Sequence, residues 1–327
     1  MIKQFRSLHP LNIILLLVIA VLLRIGILTD LPPALDFDYA EPFTRLLIAI
    51  PIEEAFSPLA NVLIAMLLCL IQAFIFNNIV NEHNLLGKPT FLPALLYVTA
   101  SSLISPFLVL SPVLICNFLI LWMVSKFLGI YRRDDVRSVM FDLGMIIGLG
   151  TLIYFPFVAM LPLLWISLII FRAFDWREWL VGLIGFATIF FFLAVFYYWN
   201  DSLNQFYRIW LPLTSQFPTN LHVNLYDYLV LIPVAIIFIL GVFQLRKNFF
   251  KSFVQTRKSF QLLFFMFLAG LLSFYLKPEL QLYHFLLCAP PAAVLMAYYF
   301  LYAGKKRWIY EGLYLILVAL IVYCQIF

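Results

Sequence analysis

An all-α fold, a polytopic transmembrane helical bundle of about eleven spans, is predicted by three observations. Hydrophobic residues make up 65% of the 327 positions and charged residues only 11%, and mean hydropathy is +1.03. The apolar residues fall in runs close to the roughly 20 residues that a helix needs to cross a bilayer. Lysine and arginine alternate between rich and poor connections, as the positive-inside rule requires of a correctly counted multi-pass chain. Barrel strands would alternate apolar and polar residues, which these runs do not, so helices must satisfy the backbone in hydrocarbon. Eleven spans with short connections use up the length, and residues 1–327 read as a single integral-membrane domain.

The first span, 11–29, follows a short segment holding Lys3 and Arg6. The layout is that of a signal sequence, but no small-x-small cleavage site is present and Leu31-Pro32-Pro33 follows, so it reads as a retained anchor. The second span is 56–80. Spans at 91–109, 111–130, 138–155 and 157–171 come next, where Pro93, Pro106, Pro112, Pro156 and Pro162 break or kink helices and short or re-entrant segments are expected. The remaining spans are 179–199, 227–245, 259–276, 283–303 and 309–327.

This assignment puts Lys3, Arg6, Lys88, Lys126, Arg132, Arg133, Arg137, Arg172, Arg177, Arg246, Lys247, Lys251, Arg257, Lys258, Lys305, Lys306 and Arg307 on one side. That side is the cytoplasmic one and carries the N-terminus. The other side has only Arg45, Arg208 and Lys277, and Arg24 alone lies within a span. Two outer connections are long enough to hold structure, 30–55 and 200–226. In the first, the stretch Pro42 to Pro51 is apolar and too short to span, which suits a helix lying in the interface. In the second, Phe206, Tyr207, Trp210 and Phe217 are aromatic anchors of headgroup depth.

Several function classes are disfavoured. Cys69, Cys116, Cys288 and Cys324 sit inside apolar runs without the close spacing or histidines of a zinc site, and read as small core residues. The net charge of +5 is dispersed over short loops, so it does not form the basic stripe of a nucleic-acid binder. No phosphate-binding Gly-rich loop, nucleophile elbow or His-Glu-x-x-His is present. Carboxylates at mid-span, expected of an ion carrier, are missing from the assigned spans.

Chemistry concentrates in the first outer connection. Between Asp30 and Glu54 it holds six acids (Asp30, Asp36, Asp38, Glu41, Glu53, Glu54) and one base, Arg45. Asp36-Phe37-Asp38 follows a double proline, where extended backbone points both carboxylates the same way. Such a pair holds a divalent cation or deprotonates an acceptor hydroxyl; the other reading is a hydrated turn. Arg24, near the outer end of the first span, either meets those carboxylates or snorkels to headgroup phosphates. Arg208, His222, Lys277 and His284 are outward basic candidates for an anionic group, or else separate surface positions, with His284 a hydrogen-bonded interfacial histidine.

The order of anchor span, acidic outer loop with Asp36 and Asp38, interfacial helix, and Phe56-Ser57-Pro58-Leu59 entering the second span resembles the polytopic GT-C superfamily glycosyltransferases. The segment Leu282-Tyr-His-Phe-Leu-Leu-Cys-Ala-Pro-Pro291 is similar to their Arg-Tyr-x-x-x-x-x-Pro-Pro element, with His284 in place of the usual arginine. The Phe-rich spans and very short loops are also similar to an uncharacterised inner-membrane protein family of Bacteroidota. The GT-C resemblance implies a GT-C-like architecture and sugar transfer from a polyprenyl-phosphate-linked donor at the periplasmic face of the bacterial inner membrane. It implies Asp36 or Asp38 as catalytic base, Arg208, Lys277 or His284 on the donor phosphate, and supporting roles for Arg24 and Glu41. A divalent cation, if used, would sit on Asp36 and Asp38. The partners so implied are membrane lipids and the lipid-linked sugar, with no nucleic acid. Against the pattern, no large soluble domain follows the spans. The alternatives are a non-enzymatic scaffold or subunit of an envelope assembly and, third, a transporter.

Overall fold

A computed structural model describes residues 1–29, 31, 57–131, 133–201, 203–208, 225–276, 282–303 and 307–326. All regular structure among them is helical. In chain order the α-helices are α1 (Ile2–Phe5), α2 (Leu11–Leu22), α3 (Ile25–Thr29), α4 (Pro58–Glu82), α5 (Leu92–Ala100), α6 (Pro112–Leu128) and α7 (Arg137–Ile153). They continue with α8 (Pro162–Phe171), α9 (Trp176–Trp199), α10 (Leu203–Arg208), α11 (Leu225–Asn248), α12 (Val254–Leu272), α13 (Ala289–Tyr302) and α14 (Arg307–Ile326). Six helical segments are long and apolar enough to cross a membrane: Pro58–Glu82, Trp176–Trp199, Leu229–Lys251, Val254–Leu276, Leu282–Tyr302 and Trp308–Gln325. They are the framework of a multi-pass membrane protein. Leu11–Leu22, Pro112–Leu128 and Phe155–Phe171 are shorter apolar segments.

The prolines act mostly as helix starts. Pro58, Pro112 and Pro162 occupy the first position of α4, α6 and α8, where the missing N–H costs nothing and the fixed φ favours the helix. Ser57 and Ser111 cap α4 and α6 by accepting from Ala60 N at 3.3 Å and Leu114 N at 3.2 Å. Asp175 does the same for α9 through Arg177 N at 3.0 Å. Pro106 and Pro156 lie in 3-10 turns, Ser105–Phe107 and Phe155–Met160. Only Pro233, in α11, lies inside a helix among the described residues.

The run expected to span at 91–109 is therefore not one helix. α5 has nine residues, about 14 Å at the standard rise, or roughly half a hydrocarbon core. It stops at Ser101 and hands over to a loop containing the Ser105–Phe107 turn. All nine residues of α5 are buried, as is nearly all of α13. These two helices pack on each other at the centre, with α4 against α5 and α11 against α13.

α7 and α9 form the tightest pair, because glycine removes the side chains between them. A Cβ at Gly144 would collide with the Gly182 carbonyl, and one at Gly185 with that of Phe141, while one at Gly148 would lie 3.0 Å from Ile189. Backbone approach through small residues is how helices gain contact in a solvent as apolar as their side chains.

The helix ends meet in two polar groups. In one, Phe91 N and the Thr90 hydroxyl donate to Phe5 O at 2.9 and 2.8 Å. There Arg6 Nε donates to Phe300 O at 2.9 Å with its guanidinium over the Tyr310 ring, and Tyr302 donates to Leu86 O at 2.9 Å. In the other, Lys126 pairs with Asp142 at 2.6 Å, Arg137 with Asp175 at 3.9 Å and Arg172 with Glu178 at 3.1 Å. Connections far apart in sequence thus meet within each group.

Candidate functional site

The apolar interior holds two strongly polar side chains singled out by the sequence, Arg24 and His284, each 1% exposed. Arg24 lies where the first apolar run breaks. α2 ends at Leu22, Leu23 and Arg24 make a turn with Arg24 N on Val21 O at 3.0 Å, and α3 begins at Ile25. The guanidinium turns back instead of snorkelling outward: Nη1 donates to Ala20 O at 3.2 Å and to the Ser102 hydroxyl at 3.3 Å. Ala20 O belongs to the last turns of α2, and Ser102 follows the end of the half-length α5. Two helix C-termini, each with partial negative charge, therefore face the cation. That offsets only part of the cost of its burial, which is about 2.5–3.5 kcal/mol on insertion scales. Nε has no partner, and among the described residues no carboxylate lies within ion-pair distance of Arg24.

The surroundings are polar and incompletely satisfied. Gly26 lets α14 close in, since a Cβ there would collide with Gln325 Cβ. Gln325 Nε2 then donates to Ser102 O at 3.3 Å, while its Oε1 has no partner. Ser101, next to Ser102, shares a hydrogen bond of 2.8 Å with Cys69. On α4, Asn61 accepts from Leu110 N at 2.9 Å but its amide Nδ2 is unpartnered. Ile27 of α3, Val62 beside Asn61, and Leu108 form one apolar cluster. So two buried donors without acceptors, Arg24 Nε and Asn61 Nδ2, lie on elements that meet there. A buried donor left unmade costs about 1–3 kcal/mol, more when charged.

His284 is different. It sits on the 3-10 segment Leu282–Cys288 that leads into α13. Nε2 faces Gly270 O and the Ser273 hydroxyl, both at 3.0 Å, and Nδ1 faces the Tyr154 hydroxyl at 2.8 Å. A carbonyl only accepts, so Nε2 carries hydrogen toward Gly270, leaving Nδ1 for Tyr154. The ring thereby joins the end of α7 to the end of α12, and both nitrogens are used within the protein.

The other expected site residues fall where the structure gives no description of their side chains. Asp36, Asp38, Glu41 and Lys277, and likewise His222, lie outside the described residues; Arg208 closes α10, with its side chain outside the description. Among the described residues no group of three or more His, Cys, Asp or Glu could hold a metal ion. Cys69, Cys116 and Cys288 are buried and not in disulfides.

Uncharged residues missed in the sequence form a third polar group. Gln72 Nε2 donates to Leu114 O at 2.7 Å and its Oε1 accepts from Tyr97 at 2.7 Å. Asn117 Nδ2 donates to Tyr97 at 3.3 Å and Leu286 O at 3.2 Å. The signal was an amide inside each of two apolar runs, overlooked because only ionisable residues were sought at mid-span.

No curated protein and no solved structure matches the chain. A family described as a family of unknown function (DUF6427) matches residues 8–326, and the chain belongs to that family.

Proposed function

We propose that this multi-pass protein lies in a bacterial inner membrane with its N-terminus in the cytoplasm, and that it transfers a sugar from a polyprenyl-phosphate-linked donor at the periplasmic face. The observation that carries the reading is Arg24, a buried cation with an unpartnered Nε and no carboxylate among the described residues, six positions before the acidic stretch begins. A cation in an apolar interior is by default a functional group, and a lipid phosphate is an anion that would pair with it. The eleven-span count takes the 11–29 run, α5, α6, α7 and the 155–171 segment as crossing or part-crossing elements beside the six long helices.

In the proposed reaction, Asp36 or Asp38 accepts the proton of an acceptor hydroxyl. The hydroxyl oxygen attacks the anomeric carbon, and the bond from that carbon to the phosphate oxygen breaks. Polyprenyl phosphate leaves with the electron pair, its charge held by Arg24 with Asn61 beside it. Arg208 and Lys277 supply further donors. His284, taken up by Tyr154, Ser273 and Gly270, is assigned a structural role instead.

The test is the glycan and lipid-linked sugar profile of cells carrying Asp36→Asn, Asp38→Asn or Arg24→Gln at normal protein level. Loss of one glycan with accumulation of its lipid-linked donor is the expected result. An unchanged profile in both aspartate variants would overturn the enzyme reading in favour of an envelope scaffold.

A further inference from the structure

One basic connection stands apart from the others. Among the described residues, several cations of the other connections have carboxylate partners: Lys126 on Asp142, Arg137 on Asp175, Arg172 on Glu178, and the N-terminal ammonium on Glu311 at 3.7 Å. Between α11 and α12 the chain carries Arg246, Lys247, Lys251, Arg257 and Lys258 with no acidic residue from 228 to 278. None of the five pairs with a carboxylate among the described residues.

The same turn presents large apolar side chains outward. Phe250 is 88% exposed and Phe253 79%. The backbone is held in this form by the 3-10 turn Phe249–Lys251 and by Ser252, whose hydroxyl donates to Asn248 O at 3.1 Å. The Arg257 guanidinium lies 5.4 Å over the Phe249 ring, leaving Phe250 and Phe253 to project beside Arg246, Lys247 and Lys251. α12 then opens with neither a side-chain cap nor an acid in its first turn, so its terminus adds to the positive field. Because α11 and α12 are both long enough to span, the turn between them lies at a membrane surface.

We infer that the 246–258 turn binds anionic phospholipid headgroups of the membrane the protein spans. Arg246, Lys247 and Lys251 take the phosphates, and Phe250 and Phe253 enter the acyl boundary. Clusters of four to eight basic residues next to a spanning helix bind anionic lipid in this way, and the paired basic clusters elsewhere have less uncompensated charge to offer. The inference does not depend on the catalytic reading.

The experiment uses the full chain in nanodiscs of phosphatidylcholine with a minority of phosphatidylglycerol, followed by native mass spectrometry of retained lipid. The wild type should retain phosphatidylglycerol in preference to phosphatidylcholine, and the preference should fall as salt rises. Arg246→Gln/Lys247→Gln/Lys251→Gln should lower it by about fivefold per charge removed. The charge-matched control Lys3→Gln/Lys88→Gln/Arg177→Gln should keep it. Absence of a preference in the wild type, insensitivity to salt, or equal loss in the control would overturn the inference. So would a triple variant that keeps its lipid but loses a co-purifying protein, since the turn would then be a protein-docking surface.

Discussion

Arg24 and His284 are buried to the same extent, yet their surroundings differ in kind. His284 has protein partners for both nitrogens, drawn from Tyr154, Ser273 and Gly270. Arg24 has Ala20 O and Ser102 on one nitrogen and, among the described residues, nothing on Nε. A polar group whose hydrogen bonds all end within the fold is architecture, because removing it orphans its partners. One with bonding capacity left over in an apolar interior lowers stability, and in the proposed function that capacity serves binding.

The largest effect should separate the two by sign. His284→Ala removes the hydrogen bonds of the ring to the Tyr154 hydroxyl and to Gly270 O, the latter still accepting from Ser273 at 2.8 Å, and should cost about 1–3 kcal/mol for each bond lost, read as a lower Tm and lower folded yield in detergent. Arg24→Met, of similar length and uncharged, should leave stability unchanged or raise it by about 1–3 kcal/mol while abolishing the glycan phenotype. Equal destabilisation by both substitutions would erase the distinction. Next in size is Gly26→Ala, whose methyl meets Gln325 Cβ. It should push α14 from the Arg24 side at a cost of about 1–3 kcal/mol, seen by thermal melt. Ser102→Ala removes one hydrogen bond from the guanidinium and should cost about 1 kcal/mol, with His284-dependent packing unaffected.

The smallest effect is acid sensitivity at the end of α4. Burial lowers the pKa of His83, with Glu82 opposing. A histidine easier to protonate when unfolded makes the fold lose stability as pH falls through the unfolded value near 6.5. His83→Asn should remove a small part of the acid-induced loss in a Tm series from pH 7.5 to pH 5, leaving the difference between Arg24 and His284 as it was.

Class and much of the layout were legible in the sequence. The length of apolar runs is set by bilayer thickness, and the position of Lys and Arg by insertion, so both are written locally. The end of α5 was not legible. Pro106 marked a break in the run of 91–109, but the helix stops earlier, at Ser101, where Ser101 meets Cys69 and Ser102 meets Arg24 and Gln325 from other helices. The prolines were misread in part: Pro112 and Pro162 begin helices, a role that local sequence carries in Ser111-Pro112 but not in Leu161-Pro162. Of the candidate site, the position of Arg24 within the first apolar run was foreseen, but the turning of its guanidinium back into the protein was not, nor was its partner, since Ser102 lies 78 residues away. His284 posed the same difficulty at 130 residues from Tyr154.

The central claim is that Arg24 holds an anionic lipid-linked ligand. Thermal stability of purified wild type and Arg24→Met, with and without a polyprenyl phosphate, tests it most directly. The account predicts a rise in Tm for the wild type that grows with ligand concentration and is lost in Arg24→Met. The same shift in both proteins, or none in the wild type, would contradict it.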